Sequence, residues 1–235
     1  MNFEEGEILY FDKPLHWTSF DLVNKVRYIL CKHLKIKKLK VGHAGTLDPL
    51  ATGVMIVCTG RATKRIDELQ AQTKEYVATM RLGATTPSFD LETEVDATYP
   101  TEHISQEMVE SVLLRFKGNI EQIPPAYSAC KVGGSRAYEL ARRGQEVNLK
   151  PKTLVIDEIE LLTFTASELK LRIVCSKGTY IRALARDIGI ALNSGAHLTA
   201  LVRTGIGEVK LQQCLSIEAF NSALQPSFPC QDCGN

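Results

Sequence analysis

Twelve consecutive positions, Gly42-His43-Ala44-Gly45-Thr46-Leu47-Asp48-Pro49-Leu50-Ala51-Thr52-Gly53, bring one carboxylate and one imidazole together with three glycines. They stand directly ahead of the apolar run Val54-Met55-Ile56-Val57-Cys58. Glycine accepts backbone angles that other residues resist, so this loop can turn sharply and approach another molecule closely. Pro49 drives the preceding Asp48 out of the helical region into extended backbone, which fixes where its carboxylate points. A carboxylate fixed in this way can act as a nucleophile or stabilise developing positive charge. The same residues also fit a tight turn whose Asp accepts local backbone hydrogen bonds, and spacing alone does not separate the two.

The elements around this loop are legible from periodicity and caps. Glu7 to Phe11 reads as a short strand leading into Lys13-Pro14. Thr18 with Asp21 is an N-cap signature, and Leu22, Val26, Ile29 and Leu30 then recur at helical spacing. That helix runs into Lys32, His33, Lys35, Lys37, Lys38 and Lys40, either a solvated face or a set of phosphate contacts. Thr59 to Arg65 reads as a turn into a short basic helix ending near Leu69. From Glu75 to Leu82 the pattern alternates, which puts Tyr76, Ala78, Met80 and Leu82 on one face of a strand. Gly83 to Asp90 reads as a loop, and Ser105 starts a helix that Gly118 stops. Thr153–Leu162 and Leu169–Val174 form a hairpin, after which Thr179 is expected to cap a helix through Leu192. Ser216 to Leu224 is a short closing helix.

The stretch Val41 to Val54 closely resembles the catalytic motif of the tRNA pseudouridine synthase B family. Those are cofactor-free enzymes that isomerise the T-loop uridine U55 of tRNA to pseudouridine. The resemblance continues in Lys13-Pro14, Lys74-Glu75-Tyr76, Pro124 to Tyr138, Lys177-Gly178-Thr179-Tyr180-Ile181-Arg182 and Gly195 to Thr204. It implies that Asp48 is the catalytic nucleophile, that Tyr180 lies in the pocket, and that Arg182 pairs with Asp48. It further implies that His43 faces RNA, Tyr76 stacks on the flipped base, Asp90 contacts substrate and Leu201 lies near the pocket. A guanidinium beside the nucleophile favours its ionised form. Stacking on an aromatic suits an unstacked loop base.

The implied fold is α+β, a central mixed, mostly antiparallel sheet flanked by helices. The chain is expected to be a single catalytic domain over 1–235, with an RNA-binding thumb inserted at about 124–152 and locally basic through Lys131, Arg136, Arg142 and Arg143. Many family members continue into a C-terminal PUA module. None is expected here, so tRNA affinity would rest on the catalytic domain and thumb and would be salt-sensitive.

Composition bounds the alternatives. With 44% hydrophobic and 23% charged residues the chain reads as globular. No run spans a bilayer and Met1-Asn2-Phe3-Glu4-Glu5 is no signal peptide, so the expectation is a cytoplasmic protein with no membrane partner. The resemblance implies tRNA as partner, with a monomer and no protein partner expected. A net charge of +1 means that RNA contacts need a local basic face. Of seven cysteines only Cys230 and Cys233 have metal-like spacing, and without a second ligand pair they read as tail, so no metal and no cofactor are expected. A glycoside hydrolase would need a second carboxylate partnering Asp48, which the motifs lack. A non-catalytic tRNA-binding or RNA-folding protein would keep the basic face without needing Asp48.

Overall fold

The computed structural model describes residues 1–128, 130–132, 134–145 and 147–225. The Cys230–Cys233 pair and Gly133 therefore lie outside the described residues. Contacts divide the chain into two compact units, one formed by Met1–Gln70 with the residues from Val209 onward, the other by Ala71–Glu208.

The first unit opens with β1 (Ile8–Lys13), α1 (Ser19–Leu34), β2 (Val41–His43), β3 (Ala51–Thr59) and, after a 3-10 stretch at Gly60–Arg65, α2 (Ile66–Ala71). β3 carries β1 antiparallel from Ile8↔Cys58 to Lys13↔Gly53, and β2 from Val41↔Thr59 to His43↔Val57. Its apolar run is buried throughout, as a strand enclosed on both faces requires. α1 starts at the expected capping box: Thr18 accepts from the Asp21 N–H, and the Asp21 carboxylate accepts from the Thr18 N–H. Leu22, Val23, Val26, Ile29 and Leu30 are its buried stripe. Lys35 ends it in the left-handed region.

The second unit contains β4 (Lys74–Leu82), β5 (Ala84–Thr85), β6 (Ala97–Thr98), α3 (Gln106–Leu114) and β7 (Gly118–Gln122). It continues through β8 (Lys131–Val132), β9 (Ser135–Arg136), α4 (Ala137–Ala141), β10 (Lys152–Thr165), β11 (Glu168–Cys175), α5 (Ile181–Ala191) and β12 (Ala196–Ile206). Its main strands lie in the order β12-β4-β11-β10-β7, every pairing antiparallel. β4 is central and alternates as expected, with Tyr76, Ala78, Met80 and Leu82 buried. The chain then re-enters the first unit with β13 (Val209–Lys210) and α6 (Ile217–Ala223), whose Phe220 meets Phe3 and Phe11 edge-on.

Two local expectations need correcting, and one strand was not anticipated. β7 has no apolar alternation (Gly-Asn-Ile-Glu-Gln) and exists through its ladder to β10, so pattern alone missed it. Thr179 does not cap α5; its hydroxyl donates back to Ser176 O, and Tyr180 occupies the cap position. The segment after Gly83 is not an open loop: it includes β5, and Thr86, Ser88 and Asp90 are buried.

α5 packs against β12, and the approach is close at Gly189, where an added Cβ would lie 2.4 Å from the Ala196 backbone nitrogen. Backbone cannot yield as a side-chain tip can. Gly189→Ala is expected to lower stability by about 1–3 kcal/mol through overpacking, read as a lower midpoint in urea unfolding with unchanged slope.

Candidate active site

In the first unit, the loop between β2 and β3 is tied at four points. Ala44 N–H donates to Ile56 O (2.9 Å) and Ala51 N–H to Asp48 O (3.0 Å), closing a turn with Pro49 second. Ser19, the first residue of α1, is buried and bonds Leu47 in both directions, its Oγ donating to Leu47 O (3.0 Å) and accepting from Leu47 N–H (2.8 Å). His16 N–H donates to Pro49 O (2.8 Å). Gly45 and Gly53 hold positive φ of 109° and 106°, which admits only glycine readily. Ala44 and Leu47 are buried while Asp48 and His43 are half-buried, so the loop is anchored by its apolar residues and presents its polar ones. The preceding Lys13-Pro14 element braces the same region: buried Lys13 Nζ donates to Pro14 O (2.9 Å) and Trp17 O (2.6 Å). The Asp12 carboxylate accepts from Gly53 N–H (3.1 Å).

In the second unit the fold brings Arg182 and Asp90 together. Arg182 stands in the first turn of α5 with its side chain 5% exposed. Its Nε lies 3.5 Å from Asp90 Oδ2, Nη1 donates to Ser88 O (3.2 Å) and Nη2 to Tyr127 O (3.0 Å). The buried segment Thr86–Asp90 is built to offer these acceptors. Thr86 Oγ1 and Ser88 Oγ both donate to Asp90 O, and Leu198 N–H of β12 donates to Phe89 O. Asp90 is therefore directed at Arg182 inside this unit.

Tyr76 and Leu201 also share a surface. Tyr76 pairs with Ile173 on β11 and Arg203 on β12, while Leu201 pairs with Ala78. Cross-strand partners point to one face, so Leu201 is a diagonal neighbour of Tyr76 on the buried face of the sheet. Lys74, at the start of the same strand, is also buried. Burial, and secondarily the Arg203 charge, pushes its ammonium down to about 8.

Two neighbours of Tyr180 were not anticipated. Buried Gln122 of β7 bonds its backbone both ways: Tyr180 N–H donates to Gln122 Oε1 (2.9 Å), and Gln122 Nε2 donates to Tyr180 O (3.2 Å). Cys130 Sγ lies 3.4 Å from the Tyr180 hydroxyl and 3.9 Å from Lys152 Nζ. Gln122 carried no sequence signal, because a Gln beside Glu121 in a polar strand reads as surface. Burial opposes ionisation of the Cys130 thiol, but the Tyr180 and Ser128 hydroxyls and the Lys152 ammonium outweigh it and hold the thiol below its ordinary value. Burial pushes Cys58 and Cys175 up to about 11.

Among the described residues no group of three or more His, Cys, Asp or Glu side chains could hold a metal ion, and no helix is long and apolar enough to cross a membrane.

The family model described as TruB family pseudouridylate synthase (N terminal domain) matches residues 32–181. A tRNA pseudouridine synthase B of Phocaeicola vulgatus is 72% identical over 220 residues, covering 94% of each chain. One of Flavobacterium johnsoniae is 50% identical over 222 residues, covering 94% of this chain and 97% of its own. Among solved structures, a chain of a Cbf5-Nop10-Gar1 complex superimposes with a TM-score of 0.70 at 28% identity. That match covers 94% of this chain and 54% of the other, so this chain spans about half of that one. The chain belongs to the TruB family of pseudouridylate synthases. It is an enzyme with the pseudouridine synthase fold.

Two measurements probe this geometry. Asp90→Ala removes one carboxylate from beside the buried Arg182 guanidinium and is expected to lower stability in chemical unfolding, by at most about 3–5 kcal/mol. In a timed iodoacetamide reaction mapped by mass spectrometry, Cys130 is expected to alkylate well before Cys58 and Cys175.

Proposed function

We propose that this enzyme, a pseudouridine synthase acting on tRNA, converts the T-loop uridine, with Asp48 as its nucleophile. The observation that carries the reading is the loop holding Asp48: a half-buried carboxylate on a backbone bonded to Ser19, His16 and Ile56 and closed by its own turn. Such bracing suits a group whose geometry must be set before substrate arrives. The relatives' shared name, tRNA pseudouridine synthase B, supports tRNA as the substrate.

The reaction breaks the N1–C1′ bond, turns the base and rejoins it through C5, after which C5 loses its proton and N1 holds one. The target base must first leave the loop stack, at a cost of a few kcal/mol. In this reading Tyr76 stacks on the flipped base, Leu201 walls the pocket beside it, and His43 meets the RNA near Asp48. Arg182 supplies positive charge to the nucleophile, and the carboxylate of Asp90 holds that guanidinium in orientation. Tyr180 assists the late proton transfer from C5, with Gln122 fixing its backbone. Asp48 attacks either C1′ or C6; both leave the carboxylate covalently attached until the base is rejoined. The segment 124–152, carrying the β8–β9 hairpin and α4, acts as the RNA thumb.

Tritium release from C5-labelled uridine in an unmodified T-arm stem-loop tests this. The wild type is expected to release tritium, and Asp48→Asn to lose at least about 10³-fold in rate while still binding the RNA, as removal of a nucleophile predicts. Release by Asp48→Asn at the wild-type rate would remove Asp48 from the mechanism.

A further inference from the structure

From Leu22 to Leu47 the chain carries seven lysines and arginines and no aspartate or glutamate, although its net charge is only +1. The remaining residues are therefore net negative, and positive charge is gathered on α1 and the segment after it. Lys32 and His33 stand in the last turn of α1, where cations offset the helix dipole. That explanation does not reach Lys35, Lys37, Lys38 and Lys40, all exposed beyond the helix end.

A groove of about 560 Å³ opens beside this charge, between α1 and α6. Its α1 wall is Lys25, Tyr28, Ile29, Lys32 and His33; Ile217 and Asn221 of α6, with Leu224 and Gln225 just after that helix, face them. Lys25 and Lys32 are seven residues apart and Tyr28 lies between them, so the three share one helix face. Tyr28 is 62% exposed, and Lys25 Nζ sits 6.0 Å from its ring centroid. One carboxylate, Glu218, also lines the groove. An exposed ring among cations with amide side chains opposite is the chemistry of a nucleotide contact: a face to stack a base and charges for its phosphates. The site lies apart from the catalytic loop. Ser19 at the helix start bonds Leu47, whereas Lys32 and His33 close a helix of 16 residues, about 24 Å long.

We propose that the basic end of α1 and the Tyr28 groove form a second tRNA-contact surface, which takes phosphates and one unpaired base outside the T arm. This rests on tRNA being the substrate and on the T arm being the part that the Asp48 region takes.

The test compares wild type with Lys32→Glu/Lys35→Glu and with Tyr28→Ala, using unmodified full-length tRNA and an isolated T-arm stem-loop. Fluorescence anisotropy across a salt series gives Kd, and pseudouridine formation gives kcat and KM. For full-length tRNA the double variant is expected to raise Kd and KM at least tenfold and to flatten the log K against log salt slope by about two, at unchanged kcat. Tyr28→Ala is expected to raise Kd about five- to hundredfold. Neither should change binding of the stem-loop. Unchanged Kd and slope on full-length tRNA would overturn the proposal, leaving a solvated basic face. Equal losses on both RNAs would also overturn it, by moving the contact into the T arm. If Lys32→Glu/Lys35→Glu fails to fold, Lys37→Gln/Lys38→Gln gives the same readout with half the charge change. Failure of the T-loop reading is visible separately, as wild type that binds full-length tRNA but forms no pseudouridine in the stem-loop.

Discussion

Burying the guanidinium of Arg182 obliges the surrounding chain to supply acceptors in the right directions, and much of the second unit follows from that demand. An unpaired charge in the interior would cost several kcal/mol. The segment Thr86–Asp90 therefore folds inward, its hydroxyls bonded to its own backbone, so that Ser88 O and the Asp90 carboxylate converge on the arginine. Tyr127 O, from the segment after β7, supplies the third acceptor. The arginine can reach them only if α5 starts where it does, and two contacts fix that start. Gln122 grips the Tyr180 backbone from the edge strand β7, and Gly189 lets the helix lie directly on β12.

The first unit meets a different demand, that of holding a polar loop still without burying it. Backbone groups and the Ser19 hydroxyl hold it, with the Asp12 carboxylate and the Lys13 ammonium bracing the chain beside it. Ser19 serves at once as the first residue of a capped helix and as donor and acceptor for Leu47, so the loop is indexed to the helix. Apolar Ala44 and Leu47 supply the burial, leaving Asp48 and His43 only half covered. The two units thus hold polar groups in place by different means, a charge network around Arg182 in one and a clamped loop around Asp48 in the other.

Where the chain is periodic or capped, the sequence was a good guide. The Thr18–Asp21 box, the buried stripe of α1, the alternation of β4 and the short closing helix after Ser216 are all local, and each is present. What could not be read depends on distant partners. β7 is a strand because β10 lies beside it, and its Gln122 is buried because Tyr180 needs it. The inward fold of Thr86–Asp90 is dictated by Arg182, more than ninety positions later, which no local pattern announces. Thr179 has the residue type of a cap, but Ser176 O lies within its reach and takes its hydroxyl. The Asp48 loop stood out through its motif, whereas the contacts of Cys130 with Tyr180 and Lys152 required the fold.

The concentration of lysines on one stretch of an otherwise acidic chain bears on how the enzyme meets nucleic acid in a crowded solution. At physiological ionic strength the Debye length is about 8 Å. Beyond that distance an approaching polyanion feels a nearly neutral particle, with a sequence pI near 7.6. The basic surface is felt only at close range. Bulk nucleic acid therefore gains little by a chance encounter, and an RNA arriving in the productive orientation is the one that is held.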